Sequence, residues 1–248
     1  MANKNPSRAL VTPEFRMSYP ALVTPKPFME NGRPTGDESY QVEAIFDEAA
    51  LDHFRIYDEA TNGYVEVNLL TVLAQLAKEA WPSDNIKTMF ESQKDKHGQP
   101  NKGWPVKRGD VIKAQKEAKG KQADHYAGTR VIALNAKTKT KAGEPLQPPT
   151  ISMVTGDKTF KTFDRLVDTD MAKARAVFSG GNYAFATVGF VAMKVAGVAF
   201  IAPYLNGIRY TRSGKSLGGQ SDMDRFDGYT GGASDHNPTA GMNDEIPF

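Results

Sequence analysis

Apolar and polar positions partly alternate over residues 9–19 and 39–46, on either side of a turn-forming stretch that holds Asn31, Gly32, Pro34 and Gly36. That pattern predicts two strands joined by a turn. From Asn68 the period lengthens. Leu69, Leu73, Leu76 and Ala80, reinforced by Val72 and Ala77, fall on one helical face, and Trp81-Pro82 closes the helix. Shorter helices are predicted over 47–57 and 83–94, each opened by a capping side chain, and a further one over 168–178. Their dense apolar faces, with Trp81, read as core. Residues 129–137 alternate as a strand, and 182–212 are dense in Val, Phe, Tyr, Ala and Gly. Within that run, 184–202 is apolar enough to suggest a membrane span, but Lys194 sits inside it and Gly189 and Gly197 interrupt it. Two buried antiparallel strands bent at glycines, as in a small barrel, fit better.

Between these elements the periodicity fades. Residues 95–128 mix Lys, Gly, Gln and Pro around Trp104-Pro105 and read as a long basic loop or hairpin, with a short strand over 106–114. Residues 138–149 form a Lys- and Pro-rich excursion. After Gly214 the chain turns to Gly, Ser, Asp and Asn, with almost no aliphatic residue until Ile246, the composition of a disordered linker. The expected organisation is a mainly β domain with inserted helices over 1–217, followed by an acidic tail over 218–248.

Composition narrows the chemistry. With 248 residues, 40 % hydrophobic and 24 % charged, the chain can bury a sizeable core. It has no cysteine, so a disulfide framework, a cysteine zinc site and a thiol nucleophile are excluded. The start, MANKNPSRAL, lacks an apolar export segment, and a cytoplasmic location is expected. The net charge of +2 conceals a split. Residues 221–248 carry six acids and one base, a net of −5, which leaves +7 on the rest; residues 87–141 hold 14 Lys and Arg against five acids. A basic body with an acidic tail suits a polyanionic partner, although a solvated lysine-rich loop carries the same charges.

Motifs that suggest an enzyme fail on spacing. Ser213-Gly214-Lys215-Ser216 resembles the end of a phosphate-binding loop, but Arg209 stands where that loop requires glycine. Asp222, Asp224 and Asp227 miss calcium-loop spacing, and no glutamate closes the loop. His53, His97, His125 and His236 are isolated, and no G-x-S-x-G elbow is present. No cofactor, metal or catalytic residue is expected.

The last residues differ in kind. Asp244 and Glu245 precede Ile246 and Pro247, and the sequence finishes on Phe248. In so polar a stretch Ile246 and Phe248 have no neighbours with which to build a core. They suit a partner's apolar slot rimmed by basic residues. This end resembles the acidic tip of bacterial single-stranded DNA-binding proteins, which recruits replication and repair enzymes. Upstream, Ser179-Gly180-Gly181-Asn182-Tyr183, Gly197-Val198-Ala199-Phe200, Leu205-Asn206-Gly207-Ile208-Arg209-Tyr210 and Gly214-Lys215-Ser216-Leu217-Gly218-Gly219 resemble the C-terminal half of tailed-phage single-stranded DNA-binding proteins. The resemblance covers residues 129–248 and is weak before them.

The resemblance implies an OB-fold barrel with inserted helices and loops. Such a barrel binds unpaired strands through a basic groove for phosphates and aromatic faces for bases. The expected phosphate contacts are Lys107, Arg108, Lys113, Arg130, Lys137, Lys139, Arg209 and Arg212, and the expected stacking residues are Trp104, Tyr126, Tyr183, Tyr204 and Tyr210. Strand register decides which of these aromatics face a ligand and which face the core. The implied partners are single-stranded DNA and, through Asp244–Phe248, a polymerase, helicase or primase, or exonuclease. An RNA-binding OB protein and a strand-annealing recombination mediator would show the same features.

Overall fold

A computed structural model describes residues 5–30, 33–92, 103–140, 142–156, 159–195 and 197–217. In chain order its elements are β1 (Ser7–Val11), β2 (Phe15–Glu30), β3 (Arg33–Asp47), a 3-10 segment (Glu48–His53), β4 (Phe54–Asp58), β5 (Gly63–Val67), α1 (Leu69–Ala80), α2 (Ile86–Ser92), β6 (Val106–Arg108), α3 (Gly109–Glu117), a second 3-10 turn (Asp124–Tyr126), β7 (Thr129–Lys137), β8 (Thr150–Val154), β9 (Phe160–Thr162), α4 (Asp168–Val177), β10 (Tyr183–Val195) and β11 (Val198–Arg212).

Five strands close a ring. β2 runs antiparallel to β3, and β3 to β7 from Ser39↔Lys137 to Asp47↔Thr129. β7 meets β11 in parallel at Asn135↔Tyr204. β11 pairs antiparallel with β10 along its length, and β10 returns to β2 at Tyr183↔Arg16 and Ala184↔Phe15. Around the ring the strands therefore run first, second, third, fifth, fourth and back to first, and only the third–fifth contact is parallel. That is the OB-fold barrel in a mainly β chain with inserted helices, as expected. Alternate residues point inward: Met17, Ala44, Phe46, Leu134, Val188 and Phe190 are all buried in one core. α4 lies between the third and fourth strands and buries Met171 and Ala174.

Strands outside the ring widen it into a larger sheet. β1 pairs with β10 and touches β4 at Val11↔Arg55; β4 and β5 form a hairpin. On the other side β8 runs parallel to β11, and β9 pairs with β8. β6 adds to the far end of β7.

The apolar stripe at 69–80 folds as expected. Asn68 caps α1, accepting from the Thr71 amide at 2.8 Å, and Trp81 is buried. The antiparallel pair within 182–212 is also observed, with a bulge where Thr187/Val188 faces Gly207/Leu205. No helix among the described residues is long and apolar enough to cross a membrane.

Four expectations need correction. Residues 9–19 do not form one strand: the chain breaks after Val11, where Pro13 has no amide to donate, and the Thr12 hydroxyl accepts from Ala186 N at 2.9 Å. Residues 47–57 do not form a helix; a short 3-10 segment gives way to β4, because Phe54 enters the core and Phe54↔Val67 to Asp58↔Gly63 pair as a hairpin. The helix expected over 83–94 starts later, at Ile86, since Asn85 caps it by accepting from Thr88 N at 3.1 Å, and residues 93–94 lie outside the described residues. Only the first three residues of the strand expected over 106–114 are extended, and Gly109 opens α3. The tail expected over 218–248, with Asp244, Glu245, Ile246, Pro247 and Phe248, lies outside the described residues.

Leu134 has no exposed surface in β7. Leu134→Ala is expected to lower the unfolding free energy by about 2–5 kcal/mol. A shifted urea midpoint at unchanged slope would show it.

Candidate nucleic-acid interface

Outward positions of β3 and β7 carry the barrel's second and third strands toward solvent, and α3 packs over one end of them. A second apolar cluster holds it there: Ile45, Ala123, Tyr126 and Val131 are buried, with Ile112 of α3 and Leu217 packed against them. Gly109 makes the approach possible, because a Cβ there would stand 1.9 Å from the carbonyl oxygen of Tyr126.

A polar knot crosses the same contact. The Lys116 ammonium donates to Glu43 Oε2 at 2.9 Å and to the Tyr126 hydroxyl at 2.8 Å, and it lies 3.9 Å from the centre of the Tyr19 ring. The Tyr126 hydroxyl donates to Glu43 and lies 2.7 Å from Ser18 Oγ. Burial, then the bond to Glu43, pushes the Tyr126 phenol well above its usual pKa, so it stays neutral. Tyr19 itself has a left-handed backbone (φ 47°) and remains 45 % exposed.

Beside this knot runs an open groove of about 410 Å3, with Lys107, Arg108, Lys116 and Lys119 at its rim and Trp104, Val111 and Ile112 among its apolar lining. Glu43 is the one carboxylate in that lining, and Lys116 answers it. Arg108 pairs only loosely with Asp110, at 3.6 Å on an exposed surface.

The other expected phosphate contacts are dispersed. Lys113 bonds Asp124 at 2.8 Å and reaches Glu117 at 3.6 Å; the bond to Asp124 raises its pKa. Arg130 pairs with Glu48 at the barrel rim. Lys137 and Lys139 share a small groove with Asp37 and Glu38. Arg212 makes two bonds to Glu14, at 3.0 and 2.6 Å, with its guanidinium 3.6 Å over Tyr183. Burial alone would raise the Glu14 carboxyl, but the bonds from Arg212 and Thr211 outweigh it and hold the pKa below the usual value. Arg209 lies on β11, where its guanidinium stands 3.9 Å from the ring centre of Phe160 and is absent from the groove's lining.

Among the expected stacking residues, Tyr126 is corrected outright. It has no exposed surface, and its ring and hydroxyl are consumed by the second cluster. Tyr210 packs against the main core with its hydroxyl 2.8 Å from Ser213, and Arg212 covers Tyr183. Tyr204 is half-buried beside Asn135. Trp104 packs edge-on against Phe90 (5.2 Å), and it also lines the groove. Sequence reasoning missed Tyr19, Lys116 and Lys119, whose proximity depends on α3, and the aromatic group Tyr57, Tyr64, Phe160 and Phe185. Period-two placement of rings on 54–58 and 63–67 was the available signal for two of these.

These features define an OB-fold protein with a cationic groove formed by β6 and α3 beside Glu43 of its second barrel strand. No protein-family model matches the chain, and neither does any curated protein. Among solved structures it is similar to the single-stranded DNA-binding protein from bacteriophage Enc34 in complex with ssDNA: 14 % identity, TM-score 0.48, 85 % of this chain and 89 % of that one. It is also similar to gp2.5, a single-stranded DNA-binding protein encoded by bacteriophage T7: 12 % identity, TM-score 0.47, 89 % of this chain and 94 % of that one. At such scores this chain's own residues must account for any ligand.

His125 stands beside the knot, half-buried, its Nε2 without a hydrogen-bond partner among the described residues. Burial first, then Arg16 and Lys116, lower its pKa; Glu43 and Asp124 oppose them. The folded chain therefore takes up this proton less readily than the unfolded chain. Its contribution is full above the ordinary histidine pKa of about 6.5 and declines as pH falls below it. His125→Asn is expected to flatten the dependence of the urea midpoint on pH between about 7 and 5. An unchanged dependence would assign the effect to other groups.

Proposed function

We propose that this chain binds and protects single-stranded DNA without strong sequence preference. On this reading it is a binding protein and not an enzyme, serving phage DNA replication, recombination and repair in the cytoplasm of an infected bacterial cell. Asp244, Glu245, Ile246, Pro247 and Phe248 would recruit replication proteins through an apolar slot rimmed by basic residues.

The observation that carries the DNA-binding reading is the groove of Lys107, Arg108, Lys116 and Lys119 beside Trp104 and the exposed Tyr19. Phosphates need cations along a path, and bases freed from pairing need flat apolar faces. Lysine is a compact point charge on a flexible stem and carries no base-reading fork, so a mainly lysine rim favours backbone contact over sequence readout. The charge split supports the same reading, since the body outside residues 221–248 carries a net +7.

Lys107→Gln combined with Lys119→Gln is expected to weaken binding to oligo(dT) and to make the plot of log affinity against log salt shallower by about 1.4, that is about 0.7 for each lost phosphate contact on a single strand. Fluorescence titration at several salt concentrations measures both. An unchanged slope, or equal affinity for the matching duplex, would remove the reading, and an RNA oligomer of equal affinity would broaden it.

A further inference from the structure

A second aromatic and cationic cleft lies on another part of the barrel surface and shares no lining residue with the α3 groove. Its floor is the outer face of β10 and β11, where Phe185 stands opposite Arg209 and Thr187 opposite Gly207. One wall is the β4–β5 hairpin. Tyr64 is 59 % exposed there, edge-on to Tyr57 at 5.6 Å, with the Arg55 guanidinium 6.0 Å from its ring centre. The opposite wall comes from Thr150, Ser152 and Val154 of β8. Phe160 of β9 stands behind this lining, 55 % exposed, with the Arg209 guanidinium 3.9 Å from its ring centre and held by Nε donating to Ser152 Oγ at 3.3 Å.

The cleft measures about 440 Å3, and its lining holds Arg55 and Arg209 but no carboxylate. That volume falls within the range of ligand sites. Among the described residues neither arginine forms an ion pair, although Glu66, across from Arg55, is held by His53 at 3.1 Å. Rings left more than half in water on two hairpins bury little of their apolar surface within the fold itself. Each carries a guanidinium, which stacks on a ring while presenting its remaining N–H groups.

We propose that this cleft is a second nucleic-acid site, which takes an unstacked base and its flanking phosphate from a separate stretch of single strand. The base enters against Tyr64 and Phe185 of the lining, and Arg55 and Arg209, the latter backed by Phe160, meet the phosphate. One chain then holds two strand segments, one on each face. The cleft's own residues carry this site, while the count of two segments per chain rests on the groove reading above.

The test uses the full chain and a short oligo(dT) carrying 2-aminopurine, whose fluorescence falls on stacking. The Lys107→Gln/Lys119→Gln chain is expected to retain quenching. Adding Tyr64→Ala and Phe160→Ala is expected to weaken it about tenfold or more, the scale of one lost base stack. Intact protein should bind two oligomers per chain, and the chain with only the two ring substitutions one. Both rings are more than half exposed, so the variants should keep the parent's thermal midpoint; Arg209→Gln, which leaves the rings in place, is the second variant and should weaken quenching too. The proposal is overturned if the ring and Arg209 substitutions leave stoichiometry and quenching unchanged. It is equally overturned if thymidine monophosphate competes as well as the oligomer, which would mark a free-nucleotide site. Failure of the groove reading would look different: Lys107→Gln/Lys119→Gln would leave the affinity and its salt slope untouched.

Discussion

Closing five strands into a ring forces every second side chain into one shared interior, and this alternation governs where chemistry can sit in the molecule. The inward positions of β3 and β7 are taken by Val42, Ala44, Phe46, Ile132 and Leu134, all buried. The buried polar side chains among the described residues, Thr12, Ser18, Ser152 and Asn182, are each taken up in hydrogen bonds within the fold. Function is confined to outward positions and to whatever the loops between barrel strands bring alongside them. The connection from β3 to β7 is long enough to hold a hairpin, three helices and β6, and it builds the groove wall; β4–β5 from that connection and β8 from the next one wall the second cleft.

The knot of Glu43, Tyr126, Lys116 and Ser18 fastens α3 to the barrel. In a half-buried setting each of these groups would cost about 1–3 kcal/mol if left without its partner, so the four act as a unit. Lys116 is therefore committed to Glu43 and Tyr126, which makes it a positioning residue at the groove more than a mobile charge. The same contact explains why glycine stands at 109: the first turn of α3 lies against the Tyr126 carbonyl at a distance that excludes any side chain.

The two clefts differ in chemistry as well as place. The α3 groove is lysine-rich with a half-buried tryptophan at its edge, suited to following a charged backbone. The hairpin cleft pairs arginines with open rings, suited to holding one flat group. Of the four aromatics exposed beyond two-fifths of their surface among the described residues, Tyr57, Tyr64 and Phe160 belong to the hairpins around this cleft and Tyr19 lies beside the groove. Exposed rings grouped in this way mark contact surfaces more than packing failures.

Much of this was legible without coordinates. The stripe from Leu69 to Ala80, the alternation in 129–137 and the two strands within 182–212 are local patterns, and a local pattern is enough to specify an element. The basic character of residues 87–141 was equally plain. What the sequence could not decide was direction. Tyr126 and Trp104 sit in the same basic stretch, yet Tyr126 turned inward beneath α3 while Trp104 kept one edge at the groove, because the choice rests on which surfaces pack against them. Arg209 and Phe160 are 49 residues apart and become neighbours only through the pairing of β11, β8 and β9. Composition and period determined the elements and their charge; ring closure and strand register, which depend on contacts between distant residues, decided which side chains meet.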